Sequence, residues 1–170
     1  MKKIMWPALL ALIIAISGFV ALTNWKVKEP YEVKFYGKIH GEFKGLKASI
    51  QFDKNHPEEA KISASIEVST IATGFFLKNN HVENALDADK YPTIRFSSTA
   101  VSKSGNAYNA NGNLTIRGVT KPTTIHFTFE EKGDGGIFKG SFKVIPKSFN
   151  ITHSGTPDEL NIALVVPVTK

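Results

Sequence analysis

From Tyr31 to Val168 apolar and polar residues alternate with a period of two, and no other feature of the chain narrows its fold as much. A period of two sends successive side chains to opposite faces of a strand, so each such run is a half-buried strand with one apolar side. Val33 and Phe35 alternate with Glu32 and Lys34; Ala48, Ile50 and Phe52 make the next apolar face, and Ile62, Ala64, Ile66 and Val68 a long third one. The pattern resumes with Ile94, Phe96 and Ser98, then Tyr108 to Arg117, then Ile125, Phe127 and Phe129, then Phe138, Phe142 and Val144, and last Leu160, Ile162, Leu164 and Val166. Breakers separate the runs: HGEFKG at His40 to Gly45 reads as a turn or bulge, Pro57 stops the strand before it, and Ser104 to Asn106 and Gly133 to Gly136 read as hairpin turns. About eight strands with short, meander-like connections predict an all-β antiparallel sandwich or barrel. Closure into a barrel is favoured because strands this long would otherwise leave edges open to aggregation.

One stretch interrupts the alternation. Gly74 ends a strand; Leu77, His81 and Ala85 then fall at i, i+4 and i+8, with Val82 and Leu86 on the adjoining row. That spacing predicts a short amphipathic helix over Phe76 to Leu86, closed by Pro92, because the residue before a proline disfavours the helical region. Phe75, Phe76 and Leu77 place an apolar cluster at the mouth of the helix, which a closed, empty barrel would not require.

The chain of 170 residues is read as one folded domain, residues 26–170, behind an N-terminal segment, residues 1–25. Lys2 and Lys3 precede an uncharged run from Ile4 to Leu22, the basic-then-apolar order of an export signal. The run is long for a signal core and near the length that spans a bilayer, so a cleaved signal peptide and a retained anchor helix both stay open. Trp25 and Lys26 resemble the interfacial end of such an anchor, and Thr23 to Pro30 is the only candidate spacer. The expected location is extracytoplasmic or periplasmic, secreted or held at the inner membrane. With no cysteine there are no disulfides, no thiolate chemistry and no lipid-bearing cysteine. Setting Lys2 and Lys3 aside, the remaining charge of +4 is scattered, with no basic stripe interleaved with exposed aromatics, which argues against nucleic acid as a partner.

Catalytic signatures are sparse. The chain contains no nucleophile elbow, no metalloprotease histidine pair, no phosphate loop and no dinucleotide fingerprint. His40, His56, His81, His126 and His153 lack metal-ligand spacing, and Asp87 and Asp89 read as caps of a turn. No metal and no cofactor is expected. His81 lies on the apolar row of the helix, where it is either a core histidine bonded to backbone or a ligand contact. Phe35, Phe52, Phe96, Phe127, Phe129, Phe138 and Phe142 sit on alternating faces. A barrel of about eight strands is either filled by such side chains or holds one small ligand, and periodicity does not choose.

The most specific motifs are DKYPTIRFSS from Asp89 and GNLTIRGVTKP from Gly112. In the second, Leu114 and Ile116 point one way from a strand and Thr115 and Arg117 the other, and Gly118 and Pro122 break the pattern so that the chain turns back. With HGEFKG, IQFD at Ile50 and SIEVSTIATG ending at Gly74, these stand in the order found in the YceI-like family, bacterial polyisoprenoid-binding proteins, which the chain resembles from about Tyr31 to Val168. The resemblance implies a lipocalin-like, antiparallel, eight-stranded barrel with one short helix at its mouth, behind the signal or anchor helix, enclosing an apolar tunnel for a long isoprenoid, quinone-like or fatty lipid. The family usually carries an Arg-Asp pair before the histidine; here Lys78, Asn79 and Asn80 occupy that region, and ENALDADKYP is shorter and lacks the usual aromatic pair.

The candidate ligand-binding residues are Phe35, Phe52, Ile66, Val68, Phe75, Phe76, Leu77, His81, Phe96, Leu114, Ile116, Phe127 and Phe142, with no catalytic residue named. The leading expectation is a lipid-binding protein that transports, stores or protects its ligand. The alternatives are a lipid-acting enzyme with His81 as general base and a membrane-tethered structural or stress-response module whose barrel is only a scaffold. Whether two barrels pair as a homodimer is left open.

Overall fold

The computed structural model describes residues 22–170, so the leader run from Ile4 lies outside it except for Leu22. In chain order the elements are β1 (Thr23–Val27), β2 (Glu32–Tyr36), β3 (Gly41–Phe43), β4 (Leu46–Phe52), β5 (Lys61–Glu67), β6 (Ile71–Ala72), α1 (Phe76–Leu86), β7 (Thr93–Ser104), β8 (Ala107–Ile116), β9 (Val119–Lys132), β10 (Gly135–Val144) and β11 (Leu160–Thr169). No helix among the described residues is long and apolar enough to cross a membrane.

Eight of these strands close into an antiparallel barrel in the order β1-β4-β5-β7-β8-β9-β10-β11, and the seam is sealed where Lys26 and Val27 of β1 meet Thr169 and Val168 of β11. Strand β11 serves two partners. Its last residues pair with β1, while Asn161 to Val165 pair with β2, which carries the sheet on through β3 to β6. The wall is therefore a closed ring at one end and an extended flap, β2-β3-β6, at the other, where α1 lies against β6.

The two diagnostic motifs face each other as neighbouring strands, with Phe96 opposite Leu114 and Arg95 opposite Thr115. They also interlock through aromatic rings. A Cβ on Gly112 would lie 2.7 Å from the Phe96 ring, and one on Gly118 would lie 2.5 Å from the Tyr91 ring. Arg117 and Gly118, at φ 50° and 73°, form a two-residue hairpin whose positive φ at both positions matches the twist of the flanking strands.

Several expectations change. Thr23 to Val27 is a wall strand and not a spacer, and Trp25 is buried with its indole N–H donating to the Phe52 carbonyl at 3.0 Å. HGEFKG supplies β3 and the corner after it, where Tyr31 donates to the Lys44 carbonyl and accepts from the Leu46 N–H. Val68 leaves the β5 face and opens a short 3-10 turn, Val68–Thr70. Helix α1 ends at Leu86 as expected, but Asp87 closes it and not Pro92: Asp87 takes the left-handed conformation at φ 54° and donates its N–H to the Asn84 and Glu83 carbonyls. Pro122 does not end the hairpin; it sits inside β9 opposite Asn113, at a level where β10 has not yet paired with β9. That side of β9 is locally an edge, where proline is tolerated.

Candidate functional site

The barrel is filled in one half and hollow in the other. At the closed end Trp25, Phe52, Tyr108, Phe127, Phe129 and Phe138 pack ring to ring: Phe52 stands edge-on to Tyr108 at 5.1 Å and to Phe129 at 5.3 Å, and Phe129 stacks on Phe138 at 4.4 Å. Six aromatic side chains converge there because each occupies an inward strand position in that half of the barrel, and such rings fill area beyond what aliphatics reach. The plug also carries its polar atoms safely, since the Tyr108 hydroxyl donates to the Lys54 carbonyl at 3.3 Å.

Above the plug, Phe127 and Phe138 form the floor of a cavity of about 180 Å³ on whose surface the described residues expose no polar atom. Its walls include Ile50, Ile62, Ile66, Phe96, Leu114, Ile125, Phe142 and Leu164. The space exists because Ala48, Ala64, Ala110 and Gly140 occupy inward positions at its level. A Cβ built on Gly140 would touch Ile125 and Leu164 at 3.4 Å, ordinary contact, so that position is open to the hollow and not pressed against a neighbour.

A second cavity of about 470 Å³ continues from the first toward the open end. Phe35, Phe43, Ile94, Ile116, Val144 and Ile162 line both, so the two spaces adjoin as parts of one tunnel. Helix α1 lies along its rim and turns the predicted row toward it: Leu77, His81 and Ala85, with Lys78, Val82 and Leu86 beside them. Among the described residues polar groups enter only here, from Lys38, His40, Thr73, Lys78, His81 and Thr156.

The structure divides the predicted residues. Phe35, Ile66, Phe96, Leu114, Ile116, Phe127 and Phe142 line the inner cavity; Leu77 and His81 line the mouth, joined there by Phe35 and Ile116. Four residues do not reach the tunnel wall. Phe52 is wholly buried in the aromatic plug, Val68 is buried in its 3-10 turn, and Phe75 and Phe76 point outward into solvent. His81 is exposed at the rim and is not a core histidine. No carboxylate lines the mouth among the described residues, and the Thr73 hydroxyl is already held 2.7 Å from the Asn79 side-chain oxygen. No three histidine, aspartate or glutamate side chains gather as a metal site among the described residues.

What a reading for large apolar residues misses is the small ones. Ala48, Ala64, Ala110 and Gly140 fall in phase with inward neighbours of full size, and that in-phase smallness on several strands is the available sequence signal for a hollow.

The YceI-like domain family matches residues 23–169 of the chain. A Salmonella arizonae relative, Protein YceI, is 29% identical, with 99% of this chain and 97% of the relative covered. Burkholderia cenocepacia BcnA superposes with a TM-score of 0.76 at 27% identity, covering 82% of this chain and 96% of that one. A polyisoprenoid binding domain from Saccharophagus degradans superposes with a TM-score of 0.62 at 8% identity, covering 86% and 97% of the two chains, a likeness of fold.

Proposed function

This chain belongs to the YceI-like domain family, and we propose that it is an extracytoplasmic binding protein that holds a polyisoprenoid or similarly long apolar lipid chain in its tunnel, to carry, store or protect it. The observation that supports this most is the continuity of an apolar space blocked by aromatic rings at one end and open at the other. A polar ligand would find no hydrogen-bond partner on the inner walls and would lose its hydration on entry. An apolar tail gains about 0.8 kcal/mol for each methylene buried, so length alone supplies affinity. A methylene is close to a water molecule in size, roughly 30 Å³, so the two spaces together hold on the order of 20 such groups. The mouth, with its mixed polar rim, takes the head of the molecule. The relation to a neighbour described as polyisoprenoid binding agrees with this class of ligand.

Solvent extraction of the purified protein followed by mass spectrometry tests the reading. The expected result is one long-chain lipid per protein chain, recurring between preparations. Repeated preparations with no stoichiometric lipid would overturn it.

A further inference from the structure

The exposed large hydrophobic side chains among the described residues are Tyr36, Phe75, Phe76, Leu77 and Ile145, and all five stand at the open end. Tyr36 ends β2 opposite Asn161; Ile145 follows Val144, which pairs with Leu160 at the same level; and the other three begin α1. Phe75, Phe76 and Leu77 are 54%, 70% and 63% exposed, consecutive, and continuous with the tunnel through Leu77. Scattered single hydrophobics are ordinary on a protein surface, but confinement to one end, around an opening, is not.

Local structure sharpens the point. Phe75 is the N-cap of α1 and makes no side-chain capping bond, at a position where serine, threonine, aspartate or asparagine is preferred. The helix forgoes a stabilising cap to carry an exposed aromatic ring there. Beside it, Lys38 and Lys78 line the mouth and form no ion pair among the described residues, whereas Glu42 and Glu159 nearby are taken up by Lys44 and Lys143. Asp158, exposed next to Pro157, opposes them, so apolar contact dominates and charge assists.

We propose that the open end is a bilayer-docking face, on which Phe75, Phe76 and Leu77 enter the membrane interface, Lys38 and Lys78 meet anionic headgroups, and the tunnel opens directly onto the lipid phase. This rests on the reading that the ligand is a membrane lipid. It explains why the apolar surface runs unbroken from the rim into the tunnel: a long chain passing between bilayer and barrel along that route never crosses water, which would cost it the burial energy of every methylene. Aromatic rings and basic side chains at an interface are the usual anchors for such contact.

The absence of cysteine allows single labels. Phe76→Cys at the rim and Asp134→Cys in the closed-end hairpin, each in a chain that begins at Thr23 and so keeps the whole closed barrel without the apolar run from Ile4 to Leu22, which would itself enter a bilayer, would carry an environment-sensitive fluorophore, added to vesicles of equal parts phosphatidylglycerol and phosphatidylcholine. The label at 76 is expected to shift to the blue and be quenched by bilayer-embedded quenchers, and that at 134 to stay in water. Phe75→Ser with Phe76→Ser should weaken vesicle binding roughly tenfold or more, and since serine suits the N-cap, the helix stays folded. Lys38→Glu with Lys78→Glu should remove the preference for phosphatidylglycerol, on the order of fivefold for each lysine. A bilayer response at 134 and none at 76 overturns the proposal, as does a shift at 76 that appears without vesicles and grows with protein concentration, the mark of mouth-to-mouth pairing. Failure to recover lipid by extraction would refute the function instead and leave the label result standing.

Discussion

Two glycines illustrate how differently one residue type serves this barrel. Gly118 adopts φ 73° and supports the Tyr91 ring, so a side chain there meets both backbone strain and a ring 2.5 Å away. Gly118→Ala is expected to lower unfolding free energy by about 2 kcal/mol or more, the usual cost of a left-handed residue plus the displaced ring; urea denaturation measures it, and a change within error would mean the ring yields freely. Gly140 has no such constraint and faces the hollow. Gly140→Leu should leave stability unchanged or slightly raised, because a strand glycine is replaced, while lipid occupancy falls. Glu131 shows a third kind of role. Lys170 and Lys54 hold its carboxyl below the usual carboxylate range, mainly by hydrogen bonds, at distances of 3.0 Å each. A carboxylate with a lowered folded-state pKa stabilises above its unfolded value, and the benefit is lost as pH falls through the lowered one. Glu131→Gln should therefore be less stable than the parent at neutral pH and equal to it in strong acid, by a margin that added salt shrinks because the groups are exposed.

At the scale of elements the closed end and the mouth separate stability from function. Phe52 is the hub of the aromatic plug, touching Tyr108, Phe127, Phe129 and Phe138, yet it lies off the tunnel wall. Phe52→Ala is predicted to cost about 3–5 kcal/mol while lipid stoichiometry persists in the folded fraction, checked by denaturation alongside extraction. Loss of lipid with little loss of stability would place the binding site in the plug instead. The same division explains what could be read in advance. Helix α1 was legible because its i, i+4, i+8 row is a property of the chain alone, and that row does face the tunnel. What stops it at Leu86 was not legible, since Asp87 supplies a left-handed cap that any of several nearby residues could have supplied. Pro122 misleads for a related reason: a proline breaks a strand only where a neighbour needs its N–H, and pairing partners are a tertiary fact.

The whole molecule is a barrel seven of whose eight closing strands were legible from their period, because alternation reports which face is buried; the eighth, β1, was read as a spacer, and the Val33 and Phe35 strand counted in its place belongs to the flap. The same signal says nothing of how far opposing side chains reach across the interior. Phe52 and Phe127 are alike in sequence terms, yet one is sealed in the plug and the other is also the floor of the hollow. Only the assembled ring shows Ala48, Ala64, Ala110 and Gly140 gathered at one level, leaving the space that the aromatic residues below fill. That space is the centre of the account, and native mass spectrometry of the parent beside a plugged variant, Ala110→Phe with Gly140→Leu, tests it most directly. The expected result is a parent peak heavier by one long-chain lipid per protein chain and a plugged variant, equally folded by circular dichroism, at its bare mass. A parent without lipid, or a plugged variant that keeps the same lipid, would contradict it.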